Sequence, residues 1–270
     1  MKNPSAGFGT LAPVQSIYEA SATPKHSVGE RFAAGDGRVF YYGKASTAIA
    51  AGQLAAPDQS DGGPWLIAVD GACVAITAAN RQLSHNDRGK AITAALAIND
   101  YGVGVTHASY LDGIVRGQLI GGFVFLNDTG NTNQYYRIAD NTAMASDVVE
   151  LLLEDPIAAA TTDSTCSVSV MQSPFMQLAL CQTTVDETPS GVPAIALSTT
   201  TPYGWIQTWG ECSIKTDGDT AYGGTSICVS NTAGAAGQID TGGILTDIGY
   251  GMTDTATAAD GLAGFLKLRP

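Results

Sequence analysis

Three histidines, five cysteines and 25 acidic residues are the groups in this 270-residue chain that could carry chemistry. His26, His85 and His107 stand in no HxH or HExxH spacing, so no zinc-binding pair is encoded locally. Cys73, Cys166, Cys181, Cys212 and Cys228 form no CxxC or CxxH, which argues against a zinc site. They read as small buried hydrophobes in a reduced compartment, with one or two disulfides formed later in an oxidising environment as the open alternative. A serine nucleophile on a strand–helix elbow needs GxSxG, and Gly224-Thr225-Ser226 lacks the second glycine. The glycine-rich Ala233–Gly237 has neither the lysine nor the strand–helix context of a phosphate loop. Carboxylates gather at Glu150, Glu154 and Asp155, at Asp186 and Glu187, and at Asp217 and Asp219. A glycosidase needs two such acids facing each other, which spacing alone does not place, and Asp217-Gly218-Asp219 reads as a turn rather than as half of a calcium loop. No catalytic residue, metal ligand or cofactor is expected from these patterns.

Trp205 and Trp209 are the remaining candidates. Four residues apart, they share a face if the segment is a regular strand. Such a pair serves as a glycan platform or as an oligomer interface or core contact, and the second use is the commoner.

The elements that would position these residues are strands. Arg38–Tyr42 is the first convincing one, Leu119–Ile138 reads as a hairpin around a polar tip, and Gly204–Ile214 alternates over most of its length before the turn signal Asp217-Gly218. Val148–Leu153, Cys166–Met171, Phe175–Cys181, Ser226–Ser230, Leu245–Met252 and Phe265–Leu268 are further short runs. Ala45–Ala56 reads as a short helix or a hairpin, and Ala91–Ile98 as a helix or a buried strand. Turn signals about every 8–12 residues predict an all-β fold, a β-barrel or sandwich body with an extended N-terminal arm and few short helices.

Composition narrows the partners. Charged residues make up 14% of the chain, against about 25% on average. A low-charge surface can be buried between subunits without desolvating ions. The net charge is −12, and the 13 lysines and arginines are scattered. Phosphate binding needs them clustered, so nucleic acid is not expected as a partner. No apolar stretch approaches the roughly 18 residues of a membrane helix, and no signal peptide follows Lys2, so the chain is expected to fold in the cytoplasm of the cell that makes it, with no membrane partner.

The segment Met1–Asp58 is broken by Pro4, Pro13, Pro24, Pro57 and seven glycines, yet it is too apolar to float free. The expected organisation is an arm and first strand over residues 1–60 and a β-rich body over 61–270, open to a further division near 200. Within Met1–Val28, Phe8, Leu11, Val14, Ile17 and Tyr18 are candidate anchors on a partner. Phe32, Tyr41 and Tyr42 continue that set. Extended, 28 residues would reach roughly 90 Å.

Gly29–Pro57 resembles the N-terminal part of structural proteins of tailed bacteriophages: Gly29 and Phe32, then Gly37, Val39-Phe40, Tyr42, Lys44-Ala45, and the step Ala51-Gly52-Gln53-Leu54. Tyr203–Gly210, Asp217-Gly218 and Ile248-Gly249-Tyr250-Gly251 before a last apolar strand are similar to the barrel ending of phage capsid decoration (cement) proteins, with Gly251 where those carry alanine. The resemblance implies a non-enzymatic virion component on the outside of an icosahedral head, bound to the major capsid protein and assembled with itself, commonly as a homotrimer. A receptor-binding or tail-fibre β module contacting host glycans through Trp205 and Trp209 is the second expectation. A tailspike glycan hydrolase is the third.

Overall fold

Among the described residues, short runs of β-branched and aromatic residues between glycine-rich turns give fifteen strands and no helix. The computed structural model describes residues 14–58, 98–99, 101–106, 114–128, 134–143, 145, 148–160, 166–182, 189–217, 223–238, 247–252 and 261–269. In chain order the strands are β1 (Arg31–Ala33), β2 (Val39–Lys44), β3 (Ala55–Pro57), β4 (Gly102–Thr106), β5 (Phe123–Asp128), β6 (Gln134–Asn141), β7 (Val148–Leu153) and β8 (Cys166–Met171). They continue as β9 (Leu178–Leu180), β10 (Val192–Pro193), β11 (Tyr203–Lys215), β12 (Ser226–Val229), β13 (Ala236–Gln238), β14 (Asp247–Gly251) and β15 (Gly261–Lys267). The protein is all-β.

The chain forms two compact units. One comprises Met1–Asp58 with Gln177–Pro270, the other Gln59–Met176. A boundary does fall beside residue 58, but the segment before it rejoins the C-terminal third, and the second crossing lies at Met176 rather than near 200. The physical reason is long-range pairing. Phe40 pairs locally with Phe32, but the burial of Phe40 and Tyr42 is completed by β11, about 160 residues on.

In the first unit an antiparallel sheet runs β1-β2-β11-β15-β14-β12-β13, with β10 also paired to β11. It curls until β13 meets the end of β11, where Thr216 bridges Ala236 and the Asp217 N–H donates to the Ala236 carbonyl at 3.2 Å. Ile214, Ile227, Val229, Ile248 and Leu266 fill the inside of that curl together with Leu54 and Val192. Ala45–Ala56 is neither helix nor hairpin. Ala45 bridges Leu178, Ile49 bridges Leu197, and β3 pairs β9. Pairing with distant strands overrides the weak local preference of this alanine-rich run.

In the second unit an antiparallel sheet has the order β4-β7-β6-β5-β8. Phe123–Leu126 pairs Gln134–Arg137, which is the hairpin expected there. Alternation places Val103, Val105, Val124, Leu126, Ile138, Val149, Leu151, Val168 and Val170 in one core. The opposite face carries exposed Phe125, Tyr135 and Leu152.

Candidate functional site

The site is set up by an irregularity in β11. Trp205 pairs Tyr42 and Gln207 pairs Phe40, but the next pair is Trp209 with Val39. One extra residue on β11 is accommodated by this bulge, and a one-residue slip sends every following side chain to the other face. Gly210 follows directly with φ +91°, a left-handed conformation that glycine adopts without strain. The expectation that Trp205 and Trp209 share a face is therefore corrected.

Trp205 is 1% exposed and packs with Phe40 and Tyr42, both wholly buried. Its ring lies 4.8 Å from that of His26 and 5.1 Å from that of Tyr42. Its indole Nε1 donates to the Gln15 carbonyl at 3.0 Å. Gln15 is itself buried, accepts the Tyr42 hydroxyl at Oε1 over 2.6 Å, and donates from Nε2 to the Glu19 carbonyl. His26 Nδ1 lies 3.0 Å from Glu30 Oε1. His85 and His107 lie outside the described residues.

The candidate partner-binding residues are dispersed by this packing. Tyr42 and Trp205 are core residues and present no surface. Ile17 and Phe32 pack, partly buried, against the same aromatic cluster. Tyr41 is half-buried and pairs Ile206. Val14 and Tyr18 are 84% and 60% exposed and keep the accessibility a contact requires. Phe8 and Leu11 lie outside the described residues. Residues 14–58 are thus woven into the first unit, down to the bridge between Ser21 and Tyr203.

Trp209 takes a different position. It lines a cavity of about 450 Å³ with Asp36, Arg38, Glu211 and Phe265. A second cavity, of about 230 Å³, is lined by Tyr18, Val192, Pro193, Gln207 and Cys212, and also by Arg38 and Glu211. Arg38 and Glu211 contribute to the linings of both. Phe265 lies edge-on to Trp209 with centroids 5.7 Å apart, and stacks on Tyr250 at 5.1 Å. Lys267 Nζ stands 4.8 Å above the Tyr250 ring. Arg38 is fixed by Asp36, with Nη2 to Oδ2 2.7 Å and Nε to Oδ2 2.8 Å. Its guanidinium holds the Asp36 carboxyl below the usual carboxylate range.

Sequence reasoning missed Asp36, Arg38, Glu211, Tyr250 and Phe265 as members of a site. Their convergence depends on the register that pairs Glu211 with Phe265 and Phe265 with Tyr250. Alternation on three separately recognised strands carries no record of that register.

Cys212 and Cys228 are held as thiols. Burial pushes the Cys212 thiol up to about 12 and the Cys228 thiol up to about 11, which disfavours the thiolate that a nucleophile or metal ligand needs. Cys212 and Cys228 are free thiols. Among the described residues no three His, Cys, Asp or Glu side chains gather as metal ligands, and no helix is long and apolar enough to cross a membrane. Glu150 is exposed, Glu154 pairs Arg137 at 3.5 Å, and Asp217 bonds Ser230. The groove is therefore built from fixed charges and aromatic faces, which suits binding. No protein-family model, curated protein or solved structure matches this chain.

Proposed function

We propose that the chain is a non-enzymatic structural protein of a tailed-phage virion, which stabilises the outside of the icosahedral head by binding the major capsid protein. The supporting observation is where the decoration-protein resemblance falls. Gly29–Pro57 and Tyr203–Gly210, far apart in sequence, are hydrogen-bonded neighbours, with Tyr203 paired to Lys44 through to Trp209 paired to Val39. Ile248–Gly251 lies on β14 of the same sheet. The residues that carry the likeness therefore form one structural module.

The contact with the capsid runs through Phe8 and Leu11 to exposed Val14 and Tyr18. The acidic balance of −12 suits a shell exterior rather than a DNA-filled interior. Low charge and the exposed Phe125, Tyr135 and Leu152 favour packing between copies, in a homotrimer. Such a protein is made in the host bacterial cytoplasm and ends on the virion.

The test is a variant lacking Met1–Pro13, mixed with expanded, undecorated heads and sedimented. Removal up to Val28 is unsuitable because it takes Gln15 and Ile17 out of the aromatic core. The expected result is a folded protein with an unchanged melting temperature that no longer co-sediments. Full retention of binding, with Tyr18→Ala and Val14→Asp also silent, contradicts the assignment.

A further inference from the structure

We propose that the groove lined by Trp209, Arg38, Glu211 and Phe265 binds a short neutral oligosaccharide, with Trp209 as its stacking platform. The inference stands on the geometry of the first unit and does not depend on the capsid reading. The larger cavity, about 450 Å³, falls in the few-hundred-Å³ range of small-ligand sites.

Trp209 is presented to a ligand in a way that Trp205 is not. The Trp205 N–H is spent on the Gln15 carbonyl, whereas the half-buried Trp209 meets Phe265 edge-on and no acceptor among the described residues engages its N–H. An aromatic face accepts the apolar C–H side of a pyranose, and its polar tip stays available for a hydroxyl.

Hydroxyl recognition needs fixed donors and acceptors around that face. Arg38 is clamped by Asp36 at 2.7 Å, and a guanidinium with five N–H groups retains donors after that pairing. Glu211 is exposed beside it. Two carboxylates against one guanidinium, on a chain of net charge −12, repel uronic acids, sialic acids and phosphates.

An extended peptide fits less well. A strand-adding peptide would need open main-chain acceptors on β11, but Gln207 Nε2 already donates to the carbonyls of Trp209 at 3.2 Å and Glu211 at 2.7 Å. Recognition is left to side chains, as saccharide binding requires.

The test is saturation-transfer NMR and tryptophan fluorescence on the full chain. The probes are maltotriose, mannotriose and triacetylchitotriose, with trigalacturonate as the acidic comparison. A saturable signal with at least one neutral trisaccharide is expected, falling at least about tenfold in affinity with Trp209→Ala. Glu211→Gln, at an exposed side chain, keeps the fold and is expected to weaken binding several-fold. No saturable signal with any neutral probe at millimolar concentration overturns the proposal. So does binding of trigalacturonate alone, or neutral binding unchanged in both variants.

Discussion

Trp205 and Trp209 lie four residues apart on one strand and face opposite sides of the sheet, because β11 carries a bulge between Gln207 and Trp209. One ring is core and the other lines a groove. Truncating them should have unequal consequences. Trp205→Ala empties a filled interior site and is expected to cost about 3–5 kcal/mol. Trp209→Ala is expected to cost under about 1 kcal/mol. Urea denaturation of the two variants measures the difference, and equal losses would show that the two side chains are equally buried.

Gln15 ties the start of the described chain to the core by accepting the Tyr42 hydroxyl and offering its carbonyl to Trp205. Gln15→Ala removes the side-chain acceptor and leaves the buried Tyr42 hydroxyl with the Lys25 N–H as its remaining neighbour. A loss of about 1–3 kcal/mol is expected from the unsatisfied hydroxyl. An unchanged urea midpoint would mean that this segment is not part of the folded unit.

Gly210 sits at φ +91°, and a Cβ built on it would stand 3.1 Å from the Arg38 Cα. Gly210→Ala is expected to destabilise by about 1–3 kcal/mol, from backbone strain and crowding together. The same variant should disturb Arg38 and so the groove. A melting temperature equal to that of the parent protein would contradict the bulge geometry.

Alkaline titration has a defined sign. Burial raises Cys212 to about 12 and Cys228 to about 11, and it raises Tyr42 and Tyr203 as well. The folded state then holds these protons more tightly than the unfolded chain, whose thiols ionise near about pH 8.5. Their contribution is complete below that pH and is lost as pH rises toward the folded values. Urea midpoints are expected to fall steadily from about pH 8.5 upward, and less steeply in a Cys212→Ala, Cys228→Ala double variant. A flat or rising profile would contradict the burial of these groups.

The all-β class was legible because β-formers and turn residues alternate at short intervals, and the hairpin of β5 and β6 could be read directly from two runs around a polar tip. The packing of residues 14–58 was not legible because Phe32, the near neighbour of Phe40, covers the cluster of Phe40 and Tyr42 only in part. Their core is completed by Trp205, which no short window of sequence contains. The bulge was equally invisible. Gln207-Thr208-Trp209 looks like regular alternation, and only the pairing with β2 shows where the phase changes. The groove inherits that difficulty, since it exists because Trp209 changed sides.

The most direct test of the proposed virion role is the copy number of this chain per particle, by quantitative mass spectrometry of purified virions against the major capsid protein. A symmetric decoration of the head predicts on the order of hundreds of copies in fixed ratio to the capsid protein. A few dozen copies or fewer, or none, would contradict it and move the protein to the tail or out of the particle.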